Sequence, residues 1–107
     1  MVELTTEQQI EVLKQAKKEL KNCYGLCGAI RNAHNRLFSE NADSRLEPFE
    51  VIPLFTNENA VIACKKHKMK VPRIDGYRSF WWNTDTSSDR PRYTVINWLI
   101  NELKKKL

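Results

Sequence analysis

The stretch TEQQIEVLKQAKKEL, residues 6–20, decides the fold class. Ile10, Leu13, Ala16, Lys17 and Leu20 recur at three- and four-residue intervals, the spacing that gathers side chains on one face of an α-helix. The aliphatic stem of Lys17 lies at the edge of that stripe. Thr6 with Gln9 fits a capping box, in which a hydroxyl takes one free backbone N–H and the amide reaches back to another. Asn22 to Gly25 ends the helix, because glycine supplies a left-handed stop cheaply. An amphipathic helix needs apolar partners, and the segments that follow supply them.

A second helix is predicted from Leu26 to about Phe38, with Leu26, Ile30, Ala33 and Leu37 on its inner face and His34 at the rim. Gly28 and Ala29 are small enough to admit a neighbouring helix, although Gly28 costs about 1 kcal/mol of helix propensity. The short connection favours an antiparallel helical hairpin. Residues 39–53 read as a polar connection ending in an extended piece, since Pro48 and Pro53 disfavour a continuous helix. Phe49, Ile52, Leu54 and Phe55 anchor it to the core. Thr56, Asn57 and Glu58 start a third helix that carries Ala60, Val61 and Cys64 inward and runs out near Met69, ahead of Pro72.

From Val71 to Asp89 the pattern turns irregular. Tyr77, Phe80, Trp81 and Trp82 suit a short strand or hairpin, and residues 83–89 form a turn and capping cluster. Ser88 or Asp89 caps a last helix that tolerates Pro91 in its first turn. Tyr93, Ile96, Leu99, Ile100, Leu103 and Leu107 make its apolar stripe, leaving Trp98 to support a homodimer. The expected architecture is mainly α (α+β at most). It comprises four helices, with a short extended or hairpin aromatic segment before the C-terminal helix, in one compact domain spanning residues 1–107.

Composition agrees: 41% hydrophobic and 29% charged residues with three glycines describe a globular chain. No apolar run approaches the roughly 20 residues that span a bilayer, and no basic-then-apolar leader opens the chain, so a cytoplasmic protein without membrane contact is expected. Charge is unevenly placed. Residues 1–64 hold seven Lys/Arg against nine Asp/Glu, a net of −2, whereas residues 65–107 hold eleven against four, a net of +7. Such a segment attracts anions. The terminal Lys104, Lys105 and Lys106 read as a solvated helix end, where cations suit the dipole.

Three cysteines cannot all pair within one chain, which points to reduced thiols packed in the core. The alternative is a zinc site from Cys23 and Cys27 with Cys64 and His67. Enzyme signatures are few: there is no Gly-rich phosphate loop, no G-x-S-x-G, and only His34 and His67 for imidazole chemistry. Asp75, Asp85 and Asp89 are the candidate carboxylates for acid–base work, but no pattern in the sequence joins them. No catalytic residue and no cofactor are therefore assigned.

The most informative stretch is RIDGYRSFWW, residues 73–82, followed closely by Arg90 and Arg92. Aromatic faces stack on bases and arginines fork onto phosphate oxygens, so Arg73, Tyr77, Arg78, Trp81, Trp82, Arg90 and Arg92 form the expected ligand-binding set. Trp81 and Trp82 would face opposite sides of a strand, one toward the core and one toward a ligand or partner. Arg90 and Arg92 stand at a helix N-terminus, which welcomes a phosphate. Pairing with Asp85 or Asp89 is the simpler use for them.

Gly25-Leu26-Cys27, Ile52-Pro53, Trp81-Trp82, Arg92-Tyr93 and Trp98-Leu99-Ile100 together resemble a type of small protein encoded by bacteriophages and prophages. That group shows a Gly-Leu-Cys opening to its second helix, a mid-chain Ile-Pro, a Tyr-Trp-Trp-like stretch and a closing helix ending in Leu-Ile. Phe80 stands where its tyrosine would be. The group carries no established activity, so the resemblance implies context only: a phage-type protein acting inside a bacterial cell. Two functions follow as expectations. One is capture of an anionic nucleotide or oligonucleotide ligand, such as a bacterial immune signal. The other is an inhibitor that docks on a host defence protein or nucleic-acid-processing complex through the same aromatics.

Overall fold

A computed structural model of the chain describes residues 4–21, 25–38, 48–68 and 90–107. Among the described residues the protein is mainly α, with no strand. Its elements are α1 (Thr6–Glu19), α2 (Leu26–Phe38), the single turn α3 (Pro48–Val51), α4 (Asn57–Lys66) and α5 (Arg90–Lys104). The expected aromatic strand or hairpin, and the Ser88 or Asp89 cap, lie outside the described residues. No helix among the described residues is long and apolar enough to cross a membrane.

The capping box of α1 sits one residue earlier than Thr6 and Gln9. Thr5 is the N-cap: its Oγ1 accepts from the Gln8 backbone N–H at 3.1 Å, and Gln8 Oε1 accepts from the Thr5 N–H at 2.9 Å. This register leaves Gln9 to donate from Nε2 to the Leu4 carbonyl at 3.1 Å, while Leu4 packs against the core. Ile10, Leu13, Ala16 and Leu20 are buried as the spacing predicts, but so are Val12 and Glu19, and Lys17 is exposed.

α1 packs against both α2 and α5; α4 lies on α5 and α3 on α2. Leu26, Ala29, Ile30 and Ala33 turn inward from α2. Three details of α2 differ from expectation. Leu37 is 41% exposed although its spacing places it on the inner face. His34 is buried, not at a rim. A Cβ on Gly28 would meet no atom within 4 Å, so this glycine admits no close neighbour.

The extended piece expected before Pro53 contains the turn α3 instead, for which Pro48 at the first position is well suited, since that N–H has no helical acceptor. Val51, Ile52 and Phe55 then enter the core. Thr56 caps α4 as predicted, accepting from the Asn59 N–H at 3.1 Å, and Asn59 Nδ2 donates to the Leu54 carbonyl at 2.8 Å. α4 stops at Lys66, short of Met69. His67 closes it, and Lys68 adopts a left-handed φ of 56° that turns the chain away. On α5, Ile96, Leu99, Ile100 and Leu103 are buried; Leu107 is not. Trp98 is 8% exposed and belongs to the core, so it offers no apolar face to a second copy.

Two substitutions test this description. Thr5→Ala should lower stability by about 1 kcal/mol in urea unfolding while Thr6→Ala changes it little. Gly28→Ala should raise stability by about 0.5–1 kcal/mol, because the open space around it removes any packing cost.

Candidate functional site

Of the seven residues expected to bind a ligand, Arg73, Tyr77, Arg78, Trp81 and Trp82 lie outside the described residues. Arg90 and Arg92 stand in the first turn of α5, as read from Pro91. Arg92 occupies the third helical position, and it is 3% exposed. Its burial follows from register: Arg92, Ile96, Leu99 and Leu103 fall at i, i+4, i+7 and i+11, one face of the helix. That face is the one against the core. The position of Arg90 is about 160° around the helix from that of Arg92, so the two do not share a face. Tyr93, next along, is partly buried against the core.

The first turn of α5 contains no acidic residue. Its first-turn N–H groups carry the positive end of a fifteen-residue helix, and a buried guanidinium stands in the same turn. Both features favour an anion at this end of the helix. A cation here is the opposite of what the dipole asks for.

A second polar cluster joins α1 to α2. Glu19, buried at the last position of α1, accepts from Arg36 Nε at 2.7 Å and from Gln15 Nε2 at 3.0 Å. The Gln15 bond is local, one turn back along α1. The Arg36 bond is tertiary and informative about packing. α2 climbs about 15 Å between Leu26 and Arg36. A hairpin running straight back from the turn would carry Arg36 away from Glu19, so α2 is offset from that simple arrangement. Sequence reasoning missed this pair, because Glu19 reads as one more solvated acid in QAKKE; its i, i+4 spacing to Gln15 was the available signal.

His34 lies near it in sequence, buried, with its ring 6.3 Å from that of Phe38 at a tilt of 44° and no hydrogen-bond partner for Nδ1 among the described residues. The residues of the zinc alternative are dispersed in exposure. Cys64 is fully buried and free, and burial pushes its thiol pKa up, whereas His67 is exposed. Cys23 and the Cys27 side chain lie outside the described residues. No group of three His, Cys, Asp or Glu among the described residues is placed to hold a metal.

At the far end of α5, Lys105 Nζ lies 2.7 Å from Glu102 Oε2. This bond lowers the Glu102 carboxyl pKa; partial desolvation opposes it, and the charges of Lys105, Lys66 and Lys106 add to the lowering. A lowered carboxylate supports the fold above the ordinary glutamate range and loses that support as pH falls through the lowered value. Comparison of the chain with protein-family models, curated proteins and solved structures found no match.

The Glu19 cluster gives a direct test. Glu19→Gln should cost about 1 kcal/mol in urea unfolding, since a buried carboxylate loses two donors' charge assistance. Arg36→Ala should cost less, about 0.5 kcal/mol, because its guanidinium is largely solvated.

Proposed function

We propose that the protein binds an anionic, nucleotide-like ligand at the N-terminal end of α5, without catalysing a reaction. One observation carries this reading: Arg92 holds its charge inside the protein, in the first turn of a long helix whose own N–H groups also attract negative charge. A guanidinium matches the oxygens of a phosphate bidentately, and water exclusion around it strengthens that bond. Arg73, Tyr77, Arg78, Trp81 and Trp82 precede this helix in the chain and supply the aromatic faces and further cations that a base and its phosphates call for. In the phage-type context that the sequence resembles, the ligand is a nucleotide signal of the bacterial host, held away from its receptor.

A second reading is a protein-docking inhibitor, favoured by Leu37 and Phe38, which leave large apolar surface exposed at the end of α2. The same preparation separates the two. Protein made in bacteria should carry a bound small molecule in native mass spectrometry and release a species absorbing near 260 nm, and calorimetric titration with nucleotides should show saturable binding.

Arg92→Gln should weaken that binding at least about tenfold, the loss expected for one charge-assisted hydrogen bond of about 1.5 kcal/mol or more. Arg92→Lys should retain part of the affinity, with circular dichroism reporting whether each variant folds. A stoichiometric host protein in pull-downs, with no nucleotide bound at any concentration, would establish the inhibitor reading instead.

A further inference from the structure

Six exposed lysines belong to the carboxyl-terminal ends of two packed helices. Lys65, Lys66 and Lys68 end α4, and Lys104, Lys105 and Lys106 end α5. Each group alone has an ordinary explanation, since cations at a helix C-terminus complement its dipole. The fold brings the groups together: α4 packs on α5, and Lys66 lies close enough to Glu102 for its charge to act on that carboxylate. Glu102 is the one acid on the last two turns of either helix, and Lys105 occupies it. Among the described residues, no carboxylate lies within ion-pair distance of Lys65, Lys66, Lys68, Lys104 or Lys106. The dipole accounts for three cations on each helix; it does not account for their mutual repulsion across the seam.

We propose that this lysine surface at the joined ends of α4 and α5 binds the phosphate backbone of a nucleic-acid strand, without regard to sequence. It is separate from the Arg92 site. Lys104 stands twelve positions beyond Arg92 on α5, about 18 Å along the helix. Lysine ammonium groups act as point charges on flexible stems, which suits a repeating line of phosphates better than one fixed pocket. Among the described residues, the segments 65–68 and 101–107 hold no arginine and no Phe, Tyr or Trp for reading bases; His67 is their one ring. A bilayer is the less suitable occupant. The apolar faces of α4 and α5 are spent on the core, through Ala60, Ala63, Cys64, Ile96 and Leu99, leaving Ile62 and Leu107 as isolated exposed apolar side chains rather than a face that inserts.

The test is fluorescence anisotropy of a labelled, mixed-sequence 20-nucleotide DNA strand titrated with the full chain, from 50 to 200 mM NaCl. The unmodified protein should bind, with affinity falling steeply as salt rises. The variant K65Q/K66Q/K104Q/K106Q should bind at least about tenfold more weakly at 50 mM, with its salt slope shallower by about 0.7 per contacting lysine removed. Unchanged circular dichroism would show that it folds. Glu102→Gln should tighten binding, because it removes the one negative charge in the surface.

The quadruple variant should keep the calorimetric nucleotide binding proposed for the Arg92 site, so failure of that site and failure of this surface read out separately. The proposal is overturned if the unmodified protein does not bind the strand, or if the quadruple variant binds it equally well. It is also overturned if binding is lost in Arg92→Gln alone, or if phosphatidylserine-containing vesicles bind the protein and DNA does not.

Discussion

Everything in the fold depends on α1 having two apolar flanks instead of one. It lies against α2 on one side and α5 on the other. Successive residues turn about 100° around a helix, so Ile10, Val12, Leu13, Ala16, Glu19 and Leu20 together occupy about half of its circumference. A helix with a single neighbour buries a narrower stripe. α4 shows the contrast: Ala60, Ala63 and Cys64 cover about 100° of it, and its main neighbour among the described helices is α5. Burial of Val12 and Glu19 on the widened flank is thus the cost of placing α1 between two partners. Glu19 meets that cost by taking Arg36 and Gln15 as donors.

The same geometry governs α5, which is covered by α1 and α4. Arg92, Val95, Ile96, Trp98, Leu99, Ile100 and Leu103 span more than half its circumference. Trp98 stands at the edge of that arc, and coverage from a second neighbour brings it into the core. Arg92 stands near its centre, so its guanidinium is committed to the interior by the register that buries Leu99. The position of Arg90, two residues earlier, belongs to the other side of the helix. A pair of arginines that looks like one clamp in the sequence is therefore divided by helical geometry.

What was legible in the sequence follows from these relations. Helical existence and type came through where a single face repeats: Ile10, Leu13, Ala16 and Leu20 on α1, and Ile96, Leu99 and Leu103 on α5. The cap at Thr56 was legible because only one residue there offers a hydroxyl in the right place, whereas Thr5 and Thr6 with Gln8 and Gln9 offer two equivalent registers. Choosing between those needs the tertiary contact of Leu4 with the core. Residues whose fate depends on a second neighbour were not legible. Val12, Glu19, His34 and Trp98 sit off the main stripe, and periodicity alone cannot announce a second partner helix. Leu37 errs in the other direction: it keeps perfect spacing on α2, yet it stands exposed, so spacing alone does not ensure cover. Of the site, the position of Arg92 in the first turn was legible from Pro91, while its burial needed the register with Ile96 and Leu99.

The two ends of α5 hold positive charge for opposite physical reasons, and that asymmetry bears on function. At the C-terminal end, exposed lysines agree with the dipole, so each is cheap to keep and its presence alone says little. At the N-terminal end, Arg92 opposes the dipole and is removed from water. Negative charge satisfies both ends, but with different demands. On the proposed reading, Arg92 would take a compact anion out of water and hold it in a fixed orientation, which would give selectivity among small ligands. Over the lysine surface an extended anion stays in contact with solvent, so its attraction weakens with salt and carries no selectivity. The two proposed sites on this helix therefore differ in depth: one suits a single phosphate group, the other a repeating line.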